Sequence, residues 1–294
     1  MLGFVMGDDV TSERWACGER YGERGTAPQK NGAEMTKAAI DALTAEHSHA
    51  LELFDSLTAE EWALPSGCAG WSVQDVAQHM ASTFHMIADA ASIETGSSGV
   101  SEANAEVPVQ ARRHWTTEQV KAEYREWADK GIATLTAMQE PPLAEMVVPL
   151  NDLGSHPLHL LMNAIVFDHY CHLRHDIGAA IRRAADLPHD PLALEVAIEW
   201  MMAGAPQMCA DALAPCRVGV NFVFTDVQHI SYRLVRAPGD GPWEMHQGTD
   251  SHHPVAVTSA HEFIGWATKR ADWRAHTQLT DEAAAATLDA LNII

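Results

Sequence analysis

In the segment FDHYCHLRHDI, residues 167–177, Asp168 and His172 stand four apart. On a helix that spacing puts a carboxylate and an imidazole on one face, where both can reach a single ion. His172 and Asp176 repeat the interval, and His175 lies one turn from His172. A metal inside a helical bundle draws ligands from facing helices, so a third ligand is expected from another element. His79 fits, set in an otherwise small and apolar stripe of Val76, Ala77, Met80 and Thr83. Two imidazoles and one carboxylate leave a fourth coordination position open, the arrangement of a catalytic zinc site rather than a closed structural one. Taken singly, His79 also reads as a hydrogen-bonded core histidine and Asp168/His172 as an ordinary helix-surface pair. Spacing narrows the choice without closing it.

The elements that must position these residues follow from periodicity. Ile40, Leu43, His47, Ala50, Leu51 and Phe54 predict a helix over 36–57. After the loop 65–71, Ser72 and Asp75 form a capping-box pattern that opens a second helix carrying His79. That helix ends before Gly96-Ser97-Ser98-Gly99, read as a flexible connection. A third helix is predicted over 117–139, ended by Pro141-Pro142. A fourth runs over 157–183, with Pro157 in its first turn. A fifth, from Leu192 to Leu213, leads out of the bundle. Past Pro215 the texture changes to alternating β-branched and aromatic residues: strands within 217–225, 229–237, 242–248 and 254–259, then two closing helices. The expected fold class is therefore α+β, a four-helix bundle over 35–190 and a smaller α/β domain over 191–294. Residues 1–34 are read as a flexible polar tail, with Met35 as a second candidate start.

Composition bounds the function. The chain has 294 residues and a net charge of −21, which repels phosphate backbones and anionic lipid heads. Nucleic acid and membrane are therefore poor partners; the expected ones are small molecules, with the chain a monomer or small homo-oligomer. Five scattered cysteines, Cys17, Cys68, Cys171, Cys209 and Cys216, form no CxxC pair and suit a reducing cytoplasm without disulfides. There are 17 histidines. Cys171 is read as core, and His229, His246, His252, His253 and His276 as solvated.

The segment GCAGWSVQDVAQHM resembles the stretch CPGWTVRDVVAHL of the mycothiol-dependent maleylpyruvate isomerase family, whose bundle is DinB-like. The likeness extends to a carboxylate, three residues, a histidine, then an aspartate and an alanine-rich run, matched here by Asp168, His172, Asp176 and Ala179-Ala180. FIGWATKRADW and the closing LDALNII resemble the family's sterol-carrier-like C-terminal domain. The resemblance implies His79, Asp168 and His172 as ligands of a divalent ion, zinc first. Mycothiol is then the thiol cofactor, and Arg270 a catalytic residue orienting a carboxylate substrate. Two positions depart: Asp168 stands where the family usually has Glu, and three residues rather than two separate His172 from Asp176.

The implied chemistry is isomerisation or S-transfer on a small electrophilic substrate, with an acidified thiol as the nucleophile. No GxSxG, P-loop, HExxH or GxGxxG motif occurs. The residues themselves leave two alternatives open: a metal-dependent hydrolase using water in the fourth position, and a non-catalytic metal-containing carrier or sensor.

Overall fold

The computed structural model describes residues 32–294. The tail read over the preceding residues, Cys17 included, lies outside them. Helix α1 (Gly32–Ser56) starts a turn before the expected Thr36 and buries Ala39, Leu43, Glu46, Ala50, Leu53 and Phe54, a three-and-four spacing that lines one face. Helix α2 (Val73–Asp89) opens on the capping box: the Ser72 hydroxyl accepts from the Asp75 amide, and Asp75 accepts from the Ser72 amide at 2.9 Å. Its buried stripe of Val76, Ala77, Met80, Ala81 and Phe84 faces helix α4 (Thr117–Ala137), which contributes Val120, Tyr124, Ala128 and Leu135. Phe84 and Tyr124 are fully buried, 5.8 Å apart by ring centroids. Truncating such a side chain to alanine costs about 3–5 kcal/mol.

Between α2 and α4 lies a helix the sequence reading passed over, α3 (Ser101–Arg112). Its first turn is capped from far along the chain: Asp152 accepts from both the amide and the hydroxyl of Ser101, at 2.9 and 2.6 Å. Strands β1 (Val147–Pro149) and β2 (Ser155–Pro157) form a short antiparallel hairpin. Pro157 is therefore paired with Val147 instead of opening a helix, and helix α5 begins at Leu160.

The predicted helix over 157–183 is thus corrected at both ends and in its middle. Helix α5 (Leu160–Cys171) passes into a π-helical turn, His172–Ile177. The chain breaks at Ile181, which is extended. Helix α6 (Pro191–Met208), with Asp190 as N-cap, packs on α5 and α1 and also touches the C-terminal sheet.

That sheet has the order β5-β4-β3-β6-β7, built from β3 (Val220–Phe224), β4 (Ser231–Arg236), β5 (Trp243–Gln247), β6 (Val255–Thr258) and β7 (Gln278–Leu279). Only β3 and β6 run parallel. Helix α7 (Ala260–Ala267) lies on it through Phe263, whose ring meets those of Phe222 and Phe224 at 5.6 and 5.5 Å. The chain is α+β, as its patterning predicts. No helix among the described residues is long and apolar enough to cross a membrane.

Candidate metal centre

Three side chains from two helices and the turn that follows one of them meet at a partly buried point. His79 Nε2, on α2, is 3.0 Å from Asp168 Oδ1, on α5. His172 Nε2 is 3.3 Å from the same oxygen. The two imidazole rings stand edge to face, 4.9 Å apart. The Asp168 side chain spans the gap to α2.

The donor set suits a small divalent cation. Ligands about 2.0–2.1 Å from a tetrahedral ion are separated by about 3.3–3.4 Å, close to both distances here. The other oxygen, Asp168 Oδ2, is buried and accepts no hydrogen bond. His169 Nδ1 stands 3.4 Å from it, a long contact, and is closer to the Ile165 carbonyl at 3.1 Å. A buried carboxylate oxygen without a donor calls for a cation.

The electrostatics agree. Burial alone would raise the Asp168 carboxyl, yet the charges of His172 and His79 hold it well below the usual carboxylate range. Burial opposes charge on His172, and the Asp168 carboxylate overcomes it, holding that imidazole well above its ordinary value. The point demands positive charge, which a proton or an ion can supply.

Behind His172 runs a second set of contacts. His172 Nδ1 is 2.7 Å from Asp176 Oδ2, and the Asp176 side chain is fully buried. Arg270 grips that carboxylate with two donors, Nε to Oδ1 at 2.7 Å and Nη2 to Oδ2 at 2.8 Å. Burial would raise the Asp176 carboxyl; the His172 hydrogen bond and charge, then those of Arg270, hold it far below its usual value. Asp176 lies in the π turn, with its carboxylate facing the imidazole.

The loop 65–71 closes over this turn. The Gly67 amide donates to the Asp176 carbonyl at 2.9 Å. A Cβ at Gly67 would stand 3.0 Å from the Asp176 backbone, so the close approach requires glycine. Cys68 Sγ lies 3.9 Å from both His172 Nδ1 and Arg270 Nη2. Trp71 packs 5.3 Å from the His79 ring and borders an open cleft with Cys68 and Arg113. Cys68, His172 and Asp176 form a second group with metal-ligand spacing. It suits an ion less well, because His172 and Arg270 already engage both Asp176 oxygens.

The sequence-derived ligands His79, Asp168 and His172 are thus brought together, and Arg270 arrives beside them with its guanidinium turned onto Asp176. Arg174 turns away and is buried against Glu46. His175 faces α7, where it stacks on His261 at 4.6 Å. Cys171 is buried. Of the histidines expected in solvent, His229 and His252 are exposed, His229 pairing with Glu195, while His253 and His276 are half-buried against Asp250 and Glu262. Sequence reasoning passed over Cys68 and the Arg270–Asp176 contact. The repeated four-residue step from His172 to Asp176 was the available signal for Asp176.

Residues 43–177 match the profile of the mycothiol maleylpyruvate isomerase N-terminal domain. Among curated proteins, none matches the chain. A crystal structure of the mycothiol-dependent maleylpyruvate isomerase superposes with a TM-score of 0.52 at 14% identity, covering 83% of this chain and 92% of that one. An alanine-substituted form of the same protein gives 0.49 at 13%, over the same shares. At such identity the first likeness speaks for the fold alone.

Proposed function

We propose, from the match of residues 43–177 to the mycothiol maleylpyruvate isomerase N-terminal domain family, a metal- and thiol-dependent enzyme of the isomerase or S-transferase type. Its substrate is a small electrophile bearing a carboxylate. The observation that carries this reading is the Asp168 carboxylate, with one oxygen shared between His79 Nε2 and His172 Nε2 and the other lacking a donor.

His79, Asp168 and His172 would hold one divalent ion, zinc first. Such an ion, when bound, would supply the acidity that makes a thiol a thiolate near neutral pH. Thiolate addition to a cis double bond leaves a single bond about which the substrate turns; elimination returns the thiol and gives the trans isomer. The protein's part is to hold and shield. Trp71 and the loop 65–71 wall the site beside His79. Arg270 keeps one terminal nitrogen, Nη1, outside its Asp176 pairing, and its side chain is 26% exposed, so it can receive a substrate carboxylate. A local cation matters in a chain of net charge −21, which otherwise repels anions.

The test is turnover of maleylpyruvate by zinc-loaded protein with and without mycothiol. The reading expects isomerisation only when both metal and thiol are present. Turnover of esters or amides without thiol would replace it with a hydrolase. Metal binding with no turnover of either kind would leave a carrier.

A further inference from the structure

We propose that Asp176 is a positioning residue through which the C-terminal domain holds His172 in its metal-binding form; this rests on the metal reading above. An imidazole ligates through an unprotonated nitrogen, and a carboxylate on its other nitrogen fixes which one is free. His172 presents Nε2 to His79 and Asp168 and Nδ1 to Asp176, at 2.7 Å. Asp176 Oδ2 accepts from Nδ1–H, so the Nε2 lone pair is left for the ion.

Asp176 is itself held from three directions. Its carbonyl accepts from Gly67, its backbone belongs to the π turn, and its carboxylate is gripped by Arg270. Arg270 lies 94 residues further along, just past α7 in the C-terminal domain. Its backbone is fixed as firmly as its side chain. Lys269 takes a left-handed φ of 62°. The Lys269 amide donates to the Trp266 carbonyl at 3.1 Å, and the Arg270 amide to the Gly265 carbonyl at 2.9 Å. These are the paired bonds of a Schellman helix end, and they aim the residue that follows the left-handed position. Lysine there bears a strain that glycine would not, in a turn that points the guanidinium at the bundle.

The chain Arg270, Asp176, His172 therefore links the end of a C-terminal helix to a ligand in the bundle. Docking of the second domain, and the affinity of the metal site, become one linked event. Asp176 touches neither the ion nor a substrate; it acts through His172.

The measurement is the zinc dissociation constant, by competition with a chromophoric chelator, of the full-length chain and its D176N, R270M and R270K variants, alongside unfolding midpoints of the metal-free forms. Asp176→Asn is expected to weaken zinc binding by about 10–100-fold. Arg270→Met should weaken it by a smaller factor, with partial return in Arg270→Lys. An ordinary structural ion pair would lower the unfolding midpoint and leave the zinc constant unmoved. If Asp176→Asn fails to fold, the double variant D176N/R270Q removes both charges of the pair and is expected to show the same loss. Zinc binding within about twofold of wild type in a folded Asp176 variant overturns the inference while the metal reading stands. Absence of zinc binding by wild type overturns both.

Discussion

His79 and Asp168 are separated by 89 residues in the chain and by 3.0 Å in the structure, Nε2 to Oδ1. The contact joins the second bundle helix to the fifth, and the second carboxylate oxygen of Asp168 is buried without a hydrogen-bond partner.

The seam between the helical bundle and α7 is a stack of histidines. His261 lies 3.8 Å from His189 and 4.6 Å from His175, and its Nδ1 is 3.0 Å from the Tyr170 hydroxyl. Burial first, then the Arg270 charge, brings His175 down to about 4, against the opposing pull of Asp176. Burial and the neighbouring His175 and His189 bring His261 down to about 3. Arg174, Asp226, Glu262 and His276 complete the charged surroundings. Both histidines have folded values below the ordinary value of about 6.5. From about pH 6.5 down to about pH 4 the unfolded chain therefore takes up protons that the folded chain refuses, and stability falls as pH falls. His172, shifted the other way, opposes this near the top of the range, where the unfolded chain has not yet taken up its proton, and contributes its full share once the pH is below the ordinary histidine value. Urea midpoints of chelator-treated protein should drop between about pH 7 and about pH 5, by at most about 1.4 kcal/mol per histidine per pH unit. His261→Phe should flatten the drop. An unchanged slope in that variant would mean that the seam does not titrate.

Glu46 and Arg174 form a bidentate pair with both side chains fully buried, at 2.6 and 3.0 Å. Glu46→Ala leaves an unpaired buried guanidinium, and the expected loss is about 3–5 kcal/mol in urea unfolding. Arg174 follows His172 by two residues but faces α1, so zinc stoichiometry should survive wherever the variant folds. Loss of metal without loss of stability would reverse this assignment.

How much of this is legible in the residues differs from place to place. The capping box at Ser72, the apolar stripe around His79 and the four-residue step from Asp168 to His172 are local patterns, and they lead directly to the three converging side chains. The π turn is not local in that sense: nothing in HLRHDI separates it from a plain α-helix until Asp176 is seen held by Arg270 and Gly67. Helix α3 escapes for a similar reason. Its cap, Asp152, comes from 51 residues downstream, and Pro108 interrupts its pattern. The short hairpin that takes Pro157 is fixed by pairing with Val147, so a proline suited to a helix start lies in a strand. Contacts across long separations decide each of these.

The thiols offer a check on the packing around the site. Cys68 is half-buried in the loop beside Arg270, whereas Cys171, Cys209 and Cys216 are buried. Burial pushes the Cys171 thiol up to about 12. Iodoacetamide on native protein should therefore modify Cys68 at least about tenfold faster than those three. After unfolding without reductant, all five cysteines of the sequence should be alkylated. Equal native rates for Cys68 and Cys171, or a pair protected after unfolding, would contradict the arrangement.

The central claim is that His79, Asp168 and His172 hold one divalent ion, and elemental analysis of purified protein tests it most directly. Wild type should carry about one zinc per chain. His79→Ala and His172→Ala, folded by circular dichroism, should carry almost none, because loss of one of three protein ligands removes tight binding. A full equivalent of metal in both folded variants, or none in wild type after zinc reconstitution, would contradict the account.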